Sequence, residues 1–168
     1  MDRYLTRLQE ALLFATRDMT PEALMRHPEG RWNSAEILEH LYLTYKNTGK
    51  GFARCLQAGR PLASSPTFRQ RLKTMLVAEL GYFPHGRNSP DHVRPRGTST
   101  GTIMSEIGPQ LEAMDRVISE AEVRYGSNVC LLDHPSLGPL TGKQWRKFHW
   151  VHGRHHVKQI ERLKRGIS

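Results

Sequence analysis

The 168-residue chain is short of cysteine, of long apolar runs and of acidic residues, and each shortage excludes something. Its two cysteines, Cys55 and Cys130, stand far apart and form no CxxC pair. They read as reduced, partly buried thiols rather than a disulfide framework. No stretch approaches the roughly 18 apolar residues of a membrane span. The opening MDRYLTRLQEALLF lacks the basic-then-apolar layout of a secretory signal, so a cytoplasmic location is expected. With 16 acidic against 25 basic residues the formal charge is +9. That balance can attract anions. The basic residues, however, are spread along the chain, and the densest patches, HGRNSPDHVRPRG and RLKRG, are short. No nucleic-acid-binding fingerprint accompanies them, so a solvated basic surface is expected and specific nucleic-acid binding is not. P-loop, GxGxxG and HExxH patterns are all missing, as are internal repeats and strand-rich blocks.

What the chain does have is helical periodicity, at a length that suits one domain spanning residues 1–168. Leu5, Leu8, Leu12 and Ala15 stripe a first helix from about Asp2 to Arg17. Thr20-Pro21-Glu22 reads as an N-cap followed by proline at the first helical position, opening a short turn through Met25. Asn33 with Glu36 forms a capping box for a second long helix, which carries Ile37, His40, Leu41 and Thr44 and runs to about Leu56. Gly49 and Gly51 weaken it locally. Residues 66 to 80 look helical. Tyr82 to Gly101, rich in proline and glycine, reads as a long irregular loop of the kind that often carries function. A third long helix is expected over Thr102 to Tyr125, with Pro109 either kinking it or marking its first turn. Gly126 to Leu140 reads as loop. Thr141 with Gln144 caps a last helix reaching about Arg165. Four long amphipathic helices in one chain pack most simply as an all-α four-helix bundle.

Four of the nine histidines lie within eight residues of that last helix: His149, His152, His155 and His156. At about 100° per residue, and with His149 at zero, His152 falls at about −60°, His156 at about −20° and His155 at about −120°. Trp145, Ile160 and Leu163 lie within about 40° of His149. The apolar stripe packs inward, so three imidazoles are aimed at the core. His152 and His156, spaced i, i+4, can reach one ion. His40, on the stripe of the second helix, is the natural third ligand, although alone it would read as a hydrogen-bonded core residue. Three histidines leave an open coordination position, which is the layout of a catalytic site. No carboxylate at ExxH spacing stands beside them, which argues for one metal rather than two. His149 is a candidate fourth ligand, acid–base group or substrate contact, although by its position alone it reads first as a satisfied core histidine. Glu36 either orients an imidazole or simply caps its helix. Gln159 can bond a ligand or a neighbouring helix, and Trp32 reads as packing.

WNSAEILEHL in the first half and HPSLGPLTGKQWRKFHWVHGRHHVKQI near the end resemble the DinB/YfiT-like metalloenzyme superfamily, close to a branch described only as a DinB-like domain of unknown function. The resemblance covers essentially the whole chain. It implies an up-down-down-up bundle and a metal triad that maps onto His40, His152 and His156. It further implies zinc or nickel, a homodimer, and thiol-dependent S-transfer or hydrolysis of small molecules, including conjugates of low-molecular-weight thiols. In such an enzyme His149 is the first candidate for acid–base assistance. This chain shows no thiol-cofactor signature, and its loop from Tyr82 to Gly101 is its own. A non-catalytic metal- or small-ligand-binding module, or a stress-response partner, is the competing expectation.

Overall fold

The computed structural model describes residues 1–65, 67, 70, 74 and 89–166. The helical piece expected over 66 to 80 and the first part of the expected loop, residues 82 to 88, lie outside the described residues, save for positions 67, 70 and 74. Five α-helices and one small hairpin are described. They are α1 (Arg3–Thr16), α2 (Pro21–Met25), α3 (Ser34–Gln57), α4 (Thr100–Tyr125), β1 (Leu132–His134), β2 (Gly138–Leu140) and α5 (Gly142–Lys164). A 3-10 turn, Asp91–Val93, precedes α4.

The caps explain where the helices begin. The Asn33 side chain accepts from the Glu36 N–H while the Glu36 carboxylate accepts from the Asn33 N–H, and Thr141 and Gln144 repeat the exchange at α5. Thr20 caps α2 with proline at its first position. The helix α3 continues unbroken through Gly49 and Gly51, because both glycines are contact points. A Cβ on Gly51 would stand 2.5 Å from the Leu132 side chain, so its absence lets the hairpin sit on α3. Pro109 lies inside α4, which starts at Thr100, two residues before the expected position, behind a Ser99 cap.

Residue pairings fix the directions of the four long helices. Along α1 and α4, Asp2 bonds Asp115 and Gln9 bonds Glu112, so the two run antiparallel. The Tyr125 hydroxyl donates to the Cys55 carbonyl at the far ends of α4 and α3. Glu39 meets Gly97 and Thr98 at their near ends, so α3 and α4 are parallel. Lys164 reaches the Arg17 carbonyl, and Leu8 faces Gly153, so α1 and α5 are parallel. The order is up-down-down-up, and the parallel α3–α4 pair requires the long connection between them. The core is one apolar cluster, including Leu8, Leu41, Phe52, Met114, Ile118 and Ile160. Arg146, buried on α5, crosses to α4 and bonds Asp115 and Glu122, each at 2.6 Å, and Ser119 at 2.8 Å. Within the segment expected to be loop from Gly126 to Leu140, Leu132–His134 and Gly138–Leu140 pair instead as the antiparallel β1–β2 hairpin, with Leu132 opposite Leu140, and the rest is turn and irregular backbone.

Candidate metal centre

Helices α3 and α5 run antiparallel, so successive turns of one meet successive turns of the other. Phe52 faces Trp145, Tyr45 faces His149 and His40 faces His152. The last of these pairs, together with His156 one turn on, forms the centre. The ligand atoms of His40, His152 and His156 all lie within 4.8 Å of one another, and all three residues are buried. The Nε2 of His152 stands 3.2 Å from that of His40 and 3.1 Å from that of His156. Bonds of about 2.1 Å to one ion at tetrahedral or octahedral angles separate neighbouring ligand atoms by about 3.0–3.4 Å. The separation of His152 from each of its two neighbours therefore fits ligation of a shared ion.

The ring orientations are fixed from outside. Nδ1 of His40 lies 2.9 Å from the Val93 carbonyl, an acceptor only, so this nitrogen carries the proton and donates it. Nδ1 of His156 lies 2.7 Å from Oε1 of Gln159 and likewise donates. Trp32 packs on the His40 ring and Phe148 stacks on His152 at an interplanar angle of 9°. Imidazoles held by a second partner at the remote nitrogen are the usual arrangement around a metal.

Too few protons are present to satisfy three converging imidazoles. With both Nδ1 atoms protonated, Nε2 of His40 and of His156 present lone pairs to the same Nε2 of His152. One N–H on His152 can serve one neighbour well, and the other contact then sets lone pair against lone pair. An extra proton is disfavoured here. Burial, joined by the nearby His156 and His40, holds His152 well below the usual histidine range. Burial and the neighbouring His40 push His156 down to about 3, against the opposing Gln159 bond. Burial also lowers His40, with the Val93 carbonyl acting in the other direction. Three neutral imidazoles converging on one point are matched by a cation, and neutral imidazole is the form that ligates metals.

The triad forms part of the wall of an open groove of about 1860 Å³ between α3 and α5, bordered by the hairpin and by the segment carrying Val93. Glu39, 2% exposed, secures that segment. Its carboxylate accepts from Gly97 N, Thr98 N and the Thr98 hydroxyl. Burial acts to raise its pKa, but these bonds together outweigh burial and hold the carboxyl below its ordinary value.

The other expected residues fall elsewhere. His149 is fully buried in an aromatic cage of Tyr45, Trp145 and Phe148 and does not line the groove. Neither of its ring nitrogens has a hydrogen-bond partner among the described residues. The structure does not bring it to the triad's opening, because it sits one helical turn deeper along the bundle. Glu36 is occupied by its capping box, with His27 at 3.6 Å. Gln159 bonds His156, and its amide also meets His155. His134 lacked a role in the sequence, although it opens the HPSLGPL stretch. The hairpin sets its ring 4.3 Å from Phe148 in the groove wall, where its Nδ1 accepts from the Ser136 and Leu137 N–H groups. That placement depends on a hairpin that periodicity does not announce. The Val93 carbonyl is a backbone group, invisible to any pattern of side chains.

A family model described as a protein of unknown function, DUF1569, matches residues 4–163. No curated protein and no solved structure matches the chain.

Proposed function

We propose that this protein, which belongs to the DUF1569 family, is a divalent-metal-dependent enzyme of the DinB/YfiT-like kind that acts on a small molecule. His40, His152 and His156 are the ligands in this reading, and zinc or nickel is the expected ion. The observation that carries it is the convergence of three buried Nε2 atoms, two of them with their remote nitrogens engaged by Val93 and Gln159. An ion held there would supply Lewis acidity, lowering the pKa of a bound water or thiol so that hydrolysis or S-transfer can proceed near neutral pH.

The protein's own residues supply the rest. Val93 and Gln159 keep His40 and His156 in the tautomer that leaves Nε2 facing the centre. Trp32 and Phe148 pack against the rings of His40 and His152 and restrain their orientation. Three protein ligands leave positions open on the groove side. With Nδ1 accepting two backbone N–H groups, a neutral His134 ring carries its proton on Nε2, and the ring lines the same groove as the triad. Proton transfer is assigned to it ahead of the caged His149.

Metal analysis of purified protein and of His152→Ala tests the site. About one ion per chain is expected in the first and a loss of most of it in the second. Equal metal content in both overturns the assignment. A non-catalytic metal-binding module is the second reading. It is favoured by one observation: the candidate metal group found among the described residues consists of histidines alone, with no carboxylate in it. Transfer and hydrolysis assays over low-molecular-weight thiols and electrophiles separate the two. Metal-dependent turnover supports the enzyme, and ligand binding without turnover supports the module.

A further inference from the structure

Two imidazoles of the triad are pinned at Nδ1, and they are pinned in different ways. His156 is held by Gln159, about one turn on along its own helix. His40 is held by the Val93 carbonyl, 53 residues further along the chain. Helix α3 alone therefore does not set the His40 ring. The strap ahead of α4, residues 92–98, decides its direction as well.

Three side chains of α3 hold this strap. Asn47 donates to the His92 carbonyl at 3.1 Å, and His40 donates to the Val93 carbonyl at 2.9 Å. Glu39 accepts from the Gly97 and Thr98 amides at 3.1 and 3.2 Å and from the Thr98 hydroxyl. These holds differ in strength. The Asn47 bond is neutral and exposed. Glu39 is buried, and hydrogen bonds to a carboxylate are roughly twice as strong as neutral ones. The link from Val93 to Gly97 is short and stiff. Pro95 has a fixed φ and keeps the residue before it extended, and Arg94 indeed sits at φ −70° and ψ 143°. A displacement at Gly97 is therefore passed on to Val93 rather than absorbed between them.

We infer that Glu39 is a positioning residue for the metal centre: by anchoring the strap at Gly97 and Thr98 it holds the Val93 carbonyl against His40, and so raises the affinity of the triad for its ion. The inference rests on the reading of the triad as a metal site. Without that carbonyl the His40 ring is free to turn, and its proton is free to move to Nε2, where it blocks the ligand lone pair. Either change must be reversed before an ion binds. The coupling is reciprocal: whatever the docked strap adds to metal affinity, the bound metal returns as strap docking. Val93, Arg94 and Pro95 line the groove, so an ion at the triad also firms one of its walls.

Affinity for zinc and for nickel is measured on the full chain by competition with a chromophoric chelator. Glu39→Gln keeps the size of the side chain but turns an amide NH2 toward backbone donors. It is expected to weaken the tighter-binding ion by about tenfold or more, as loss of an outer partner of a metal ligand does. Thr98→Val, at an exposed position, removes one donor and should weaken it by about threefold. Asp2→Ala removes the N-cap of α1, which makes no bond to the strap; it should lower stability yet leave metal affinity within about twofold. In the wild type, the same ion should slow hydrogen exchange at the Gly97 and Thr98 amides by about fivefold or more, although both bond Glu39 and not a triad histidine. This last measurement needs no variant and holds even where Glu39→Gln does not fold. Unchanged affinity in folded Glu39→Gln, an equal loss in Asp2→Ala, or exchange at Gly97 and Thr98 indifferent to the ion overturns this inference and leaves the metal centre standing. A wild type that binds neither zinc nor nickel overturns both.

Discussion

At the scale of single residues, the informative contrast is between histidines of one helix. His152 and His156 turn their Nε2 atoms toward His40, whereas His149, one turn earlier, is walled off by Tyr45, Trp145 and Phe148. Burial, with a smaller effect from His134, pushes the His149 pKa down to about 3 from an ordinary value of 6.5. In the unfolded chain this imidazole takes up a proton near pH 6.5; in the folded protein it does not until about pH 3. Between those values the unfolded state binds more protons. The stability contributed by keeping His149 neutral is therefore complete above about pH 6.5 and is lost as pH falls toward 3. His149→Phe keeps the aromatic packing and removes the titration. Its unfolding free energy, followed by denaturant titration from pH 8 to pH 4, should fall less steeply than that of the wild type, by up to about 1.4 kcal/mol per pH unit. Identical slopes would show that His149 is not buried in its neutral form. The two orphaned ring nitrogens, and the neighbouring Tyr45 hydroxyl that also lacks a partner among the described residues, mean that the substitution leaves no further polar group stranded.

At the scale of elements, two glycines set how closely the helices and the hairpin approach. Gly51 admits Leu132 of the hairpin, and through it His134 reaches the groove. Gly153 lies on α5 between His152 and His156, and a Cβ there would stand against Cδ1 of the fully buried Leu8 on α1. Gly153→Ala must therefore shift α1 away from α5 or force Leu8 from its rotamer. Although alanine is the better helix former, overpacking outweighs propensity here. A net loss of about 1–3 kcal/mol is expected in chemical denaturation; a gain would mean that α1 yields freely. The segment ahead of α4 acts as an element in its own right. Glu39 anchors it through the Gly97 and Thr98 amides, and that anchorage presents the Val93 carbonyl to His40.

At the scale of the whole molecule, the triad comes from two helices that are antiparallel neighbours in space and lie far apart in sequence, so an ion held there would tie α3 to α5. Anything bound by the folded state alone stabilises it by mass action, by about 2.7 kcal/mol when the free ligand is a hundred times its dissociation constant. Added zinc or nickel should accordingly raise the thermal unfolding midpoint of the wild type, chelator should reverse the rise, and His152→Ala should show neither effect. A midpoint that moves equally in both proteins would place the binding outside the triad. The Arg146 bridge to Asp115 and Glu122 clamps α5 to α4. It offers no such test, since removing one partner strands buried charge whatever the metal does.

Much of this was legible in the residues. Heptad-like stripes such as Leu5, Leu8 and Leu12, and the capping boxes at Asn33 and Thr141, located the long helices to within a few positions, because these signals act within a turn or two of their own chain. The i, i+4 spacing of His152 and His156 placed both on one face for the same local reason. The fold then decided what local rules cannot reach. The parallel setting of α3 and α4 is fixed by packing between remote segments. Whether His40 or His149 completes the cluster depends on the axial register of α3 against α5. The roles of Val93 and His134 come from chain reversals that bring a backbone carbonyl and a hairpin up to the groove. Periodicity in a sequence reports the face a side chain occupies on its helix, and only the packed helices fix its height along the bundle and the groups that meet it there.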